Sequence, residues 1–87
     1  MSKMTAYAFS KMTGIRDMYV RAAVDMYPPK HKETVRFRKI VYPSEEIARS
    51  VQAYSKWLAK KLETQQQKRM EEIIEFSKRA AEVTEDG

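Results

Sequence analysis

Cysteine is absent from the 87 residues, and histidine occurs once, at His31. Disulfide staples are therefore excluded, and a thiolate–imidazole metal site has no ligands to draw on. Glycine is almost as scarce, with two residues, and proline occurs three times. Such a composition argues against a loop-rich or disordered chain and for long regular elements. No apolar run approaches the roughly 18–20 residues that cross a membrane, and the first residues hold no uninterrupted apolar segment of the secretory type. The expectation is a chain with no membrane span that is not secreted. It would work in the cytoplasm or another internal compartment, an organelle or a virion interior included. Residues 3–24 are weakly amphipathic and carry Lys3, Lys11, Arg16 and Arg21, but Asp17 and Asp25 argue against an import presequence, which is poor in acids.

Catalytic signatures are missing in the same way. There is no thiol, no glycine-rich phosphate loop and no nucleophile elbow. The sequence predicts no enzyme, no cofactor and no small-molecule substrate. Glu71, Glu72 and Glu75 cluster on one segment, but a closed cation site needs ligands converging from several elements. With Glu75 four residues before Arg79, the cluster reads as a solvated helix face.

What is present is positive charge and helical pattern. Seventeen basic residues against twelve acidic ones leave a net +5, which favours anionic partners: nucleic acid, acidic protein surfaces or anionic lipid. A single domain of this size buries only about 60–65 % of its unfolded surface, so packing against a partner or a second copy is a natural source of further stability.

Four segments follow from the pattern. In residues 1–27, Ala8, Met12, Ile15, Tyr19, Ala22 and Met26 recur at steps of four and three, which predicts an N-terminal helical segment. It is either continuous or jointed at Thr13-Gly14, and its methionines at 12, 18 and 26 serve as core filler or as a forgiving binding surface. Pro28 and Pro29 end it. Residues 28–43 form a basic arm with the only strand character in the chain: Val35 and Phe37 alternate with Arg36 and Arg38, and the alternation slips at Lys39. A lone strand cannot satisfy its own backbone, so it is expected to pair with another copy or a partner.

Pro43-Ser44-Glu45-Glu46 marks the start of a helix, with two carboxylates at its positive end. Neither proline nor glycine interrupts residues 44–83, and 84–87 form an acidic tail. The apolar stripe Ile47, Val51, Tyr54, Leu58, Leu62 resumes after a polar run as Met70, Ile73, Ile74, Phe76, Ala80 and Val83. Forty helical residues would span about 60 Å, twice the diameter of about 30 Å for a compact domain of this size. The helix therefore projects, or folds back near Gln66 as a helical hairpin. Without a glycine at the turn, projection is the stronger expectation. The fold class is thus all-α or nearly so, in one domain.

Two surfaces emerge as candidates. Lys30, Lys32, Arg36, Arg38 and Lys39 with Phe37 and Tyr42 interleaved combine cations for phosphates with aromatic faces for bases, and Arg49, Lys56 and Lys60 form a ladder opposite the long helix's apolar stripe. Trp57, at the stripe's border, and Met70, Ile73, Ile74 and Phe76 on the far helix are candidates for a protein contact. The leading functional expectation is a non-enzymatic assembly or adaptor subunit acting through protein–protein contacts in a homo-oligomer or larger complex. The alternative is a nucleic-acid-binding protein that uses the arm at 30–39. The order of basic strand, Pro-Ser-Glu-Glu and helices resembles the ribbon-helix-helix arrangement, in which paired strands of a dimer enter the DNA major groove. It departs from that pattern in lacking a glycine or asparagine turn after Pro43 and in the slip at Lys39.

Overall fold

The computed structural model describes residues 3–62 and 67–85. A two-residue strand β1 (Lys3–Met4) leads into helix α1 (Ala6–Thr13), whose first turn is capped by Thr5, with Oγ1 accepting the Ala8 N–H at 3.1 Å. Gly14 ends α1 in the left-handed region (φ 75°), its N–H donating to Ser10 O; this conformation suits glycine because it has no Cβ. Helix α2 (Asp17–Met26) then starts afresh, and the chain is jointed rather than continuous.

The core face is not the expected apolar stripe. Ile15 and Tyr19 are buried, but the rest of the core face is Phe9 from α1 with Val20, Ala23 and Val24 from α2. Met12, Met18 and Met26 are 54, 83 and 43 % exposed; none is core filler.

The arm is not a lone strand. Strand β2 (Glu33–Val35) turns through Arg36–Arg38 into β3 (Lys39–Pro43), and β1 pairs along the other side of β3. Both pairings are antiparallel, with Glu33 opposite Val41, Val35 opposite Lys39 and Met4 opposite Tyr42. The slip in alternation at Lys39 is the point where the chain reverses. β3 is therefore flanked by strands of its own chain, by β2 along Lys39–Val41 and by β1 at Tyr42–Pro43, and β2 stands at the edge of the sheet.

Helix α3 (Ser44–Leu62) begins where the start signal placed it, and helix α4 (Gln67–Glu85) packs back along it. The longest dimension of the molecule is 43 Å, too short for a straight helix of about 60 Å; the expectation of a projecting helix is overturned in favour of the helical hairpin. The expected turn at Thr64–Gln67 lies largely outside the described residues. The physical reason for folding back is visible in the core: Ile73, Phe76 and Ala80 from α4 are buried with Ile47, Ala48 and Val51 from α3. Burying each large side chain is worth about 1.5–3 kcal/mol, which a projecting helix would forgo.

Tyr19 pins the three principal helices. Its ring meets Tyr54 and Phe76 edge-on, with centroids 5.0 and 4.8 Å away, and its hydroxyl shares a buried hydrogen bond of 2.7 Å with Ser55. Burial pushes its phenol above the usual range. Arg79 of α4 closes the α1–α2 joint, donating from one guanidinium nitrogen to Gly14 O at 3.0 Å. The fold is thus mostly helical with a small three-stranded sheet.

Candidate functional site

Every residue from Lys30 to Ile40 is exposed. The base of this segment is anchored to α3 and to β1. Glu46, in the first turn of α3, accepts the His31 backbone N–H at 2.8 Å and the His31 ring Nδ1–H at 2.6 Å. The backbone bond is the first cause, and the ring bond the second, of a Glu46 carboxyl held below its usual range. On the outer face of the sheet, Lys3 pairs with Glu33 at 2.8 Å and lowers the Glu33 carboxyl in the same sense.

Glu33 and Glu46 are thereby engaged, Glu33 is the only acid between Lys30 and Tyr42, and Asp25 of α2 lines a groove with Arg38 and Lys39. Among the described residues, Lys30, Lys32, Arg36, Arg38 and Lys39 form no ion pair. Five cations on one hairpin repel one another without internal compensation, so the surface attracts anions.

The tip carries the sharpest feature. Lys39 N–H donates to Arg36 O, closing a tight turn in which Phe37 (φ 62°, ψ 29°) and Arg38 (φ 60°) both lie in the left-handed region. Hairpin turns of this hand ordinarily use Asn-Gly or Asp-Gly, because a Cβ is strained there. The conformation directs the Phe37 ring into solvent, where it is 90 % exposed between two arginines. A strained, solvent-facing aromatic contributes nothing to the core, and strain of this kind concentrates where a chain makes contacts.

The other candidate residues divide. Arg49 joins the arm: it lines a cleft with Lys30, Pro29 and Glu46, although Glu45 lies 3.8 Å from its guanidinium. Lys56 and Lys60 are exposed but lie about 10 and 16 Å farther along α3, a separate patch. Trp57 is half-buried, stacked near Tyr54 and covered by Lys61 Nζ at 4.6 Å from its ring centroid; its faces are engaged within the chain.

The proposed protein contact on α4 needs correction. Ile73 and Phe76 are 4 and 6 % exposed, and Met70 is half-buried; Ile74, at 49 %, is the one large apolar side chain of the four in the open. Folding back of α4 turned that face onto its own core. Glu72 and Glu75 pair with Arg16 and Arg79, as a solvated face does. The residue that sequence reasoning missed is Tyr7, 54 % exposed on α1 with Lys11 Nζ 5.4 Å from its ring centroid; its place off the expected stripe was the available signal.

Compared with protein-family models, curated proteins and solved structures, the chain matches none, so the reading of this surface rests on its own residues.

Proposed function

We propose that the chain is a non-enzymatic nucleic-acid-binding protein that engages its ligand with the β2–β3 hairpin. The observation that supports this most is Phe37, exposed and conformationally strained between Arg36 and Arg38, on a hairpin whose cations are unpaired. Cations neutralise phosphates and release their counterions, while an aromatic face stacks on bases. A membrane span is no part of this reading, since no described helix is long and apolar enough to cross a bilayer.

Binding to a labelled mixed-sequence oligonucleotide, followed by fluorescence anisotropy between 50 and 200 mM salt, tests the proposal. Affinity should fall steeply with salt, and Arg36→Ala with Arg38→Ala should lower both the affinity and the steepness of that fall, by about 0.7–0.9 in log–log slope for each phosphate contact removed. Undetectable binding at 50 mM salt, or a double variant that binds like the wild type, would sink it.

An assembly role in a homo-oligomer or larger complex is the second reading. It draws on Met18, 83 % exposed on α2, and predicts a mass in solution above that of one chain that drops on Met18→Lys.

A further inference from the structure

A groove of about 680 Å³ runs between β3 and the α1–α2 pair, and it connects the hairpin tip to a second aromatic. Arg38 and Lys39 stand at its hairpin end, Ile40 and Tyr42 form its apolar floor, and Tyr7 lines its far side. Lys11 Nζ lies over one face of the Tyr7 ring, 5.4 Å from its centroid. Aromatics and cations thus alternate: Phe37 adjoins Arg38 in sequence, Arg38, Lys39 and Tyr7 line one groove, and Lys11 sits at the Tyr7 ring. Neither Phe37 nor Tyr7 takes part in the core, at 90 and 54 % exposure.

This alternation distinguishes between two forms of the same ligand class. In a duplex the base faces are stacked on one another and only edges and phosphates are offered, so two separated exposed rings would find no face. A single strand offers both bases to stack and phosphates between them, and proteins that hold single strands combine a cationic track with aromatic platforms. The groove has the volume of a small-molecule site, enough for a splayed base and its sugar, while a duplex cannot enter it. On the α2 wall stand Arg21, which pairs with Asp17, and Asp25. The Asp25 carboxylate can accept from exocyclic amino groups of bases.

We infer that the track from Phe37 to Lys11 binds single-stranded nucleic acid, with Tyr7 as a second stacking platform; this rests on the nucleic-acid reading of the hairpin. The decisive comparison is the affinity of the full chain for one oligonucleotide as a single strand and annealed to its complement, in DNA and in RNA forms, for the wild type, Tyr7→Ala, Tyr7→Phe and the Arg36→Ala/Arg38→Ala double variant. The single strand should bind at least about tenfold more tightly than the duplex. Tyr7→Ala should weaken single-strand binding by between about fivefold and a hundredfold and leave duplex binding as it was, while Tyr7→Phe, which keeps the ring, stays within about twofold of the wild type. Circular dichroism guards against a folding artefact, which the exposure of Tyr7 makes easy to avoid. Equal or tighter duplex binding, or a Tyr7→Ala variant with unchanged single-strand affinity, overturns the inference while leaving the hairpin reading intact. Binding of neither form, or binding indifferent to the arginine pair, overturns both.

Discussion

Phe76 and Phe37 are the same residue put to opposite uses. In the helical body Phe9, Tyr19 and Phe76 are 0, 6 and 6 % exposed, and Arg16, Arg21 and Arg79 are each matched to a carboxylate. In the hairpin Phe37 is 90 % exposed, and five cations have no ion-pair partner among the described residues. The core aromatics and these three arginines are satisfied within the body, so their energetics are those of folding. The hairpin's side chains are left unsatisfied by the fold, and they sit on a turn whose backbone is strained. Stability alone would select neither feature, which is the ground for the proposal that the hairpin is the contact surface.

The widest separation between the two regions should appear in unfolding. Phe76→Ala, which empties a place in the aromatic cluster, is expected to lose about 3–5 kcal/mol. Phe37→Ala should lie within about 0.5 kcal/mol of the wild type. Urea denaturation followed by circular dichroism measures both, and a Phe37→Ala loss comparable to that of Phe76→Ala would erase the distinction.

A smaller effect of opposite sign is expected at the tip. Replacing Phe37 and Arg38 with Asn and Gly supplies the residues that a turn of this hand prefers and should stabilise the chain by about 1 kcal/mol, while lowering affinity for nucleic acid. Gains in stability and losses in binding from one substitution pair are the mark of strain retained for contact. A pair that stabilises without any loss of binding would show the tip to be idle.

The smallest effect concerns acid. The Glu46 carboxyl is lowered in the folded chain by the His31 backbone and ring donors, so its contribution is fully present above the ordinary carboxylate value of 4.5 and disappears as pH falls through its lowered folded value. Amide exchange in residues 30–35 should therefore be faster in Glu46→Gln than in the wild type near neutrality, and the two should converge in acid. A difference that persists undiminished in acid would remove Glu46 as the anchor of the arm.

Much of the helical body was legible in the sequence because burial imposes periodicity. The stripe Ile47, Val51, Tyr54, Leu58, Leu62 is the face that packs on the core, and Ile73, Phe76, Ala80 and Val83 meet it from α4. Direction was harder to read, since pattern alone does not say whether an apolar face meets its own chain or another. In the first segment the joint at Thr13-Gly14 was one of the two alternatives open, but the buried face was not the expected stripe: Phe9 and Val20 lie inside, and Met12 and Met26 lie outside. The hairpin was illegible for a different reason. Its turn, Arg36-Phe37-Arg38, contains none of the glycine, asparagine, aspartate or proline that announce a reversal, and the slip at Lys39 was the sole trace of it. The arm cations and Phe37 were nonetheless legible as an exposed, charged and aromatic segment, because those properties need no fold to be seen.

The most direct test of hairpin function is the affinity of Phe37→Ala for a mixed-sequence single-stranded oligonucleotide at 50 mM salt, measured on protein whose melting temperature is also recorded. The expected result is a loss of about fivefold to a hundredfold with a melting temperature within a few degrees of the wild type's. Unchanged affinity in a fully folded Phe37→Ala variant would contradict the assignment of function to the hairpin tip.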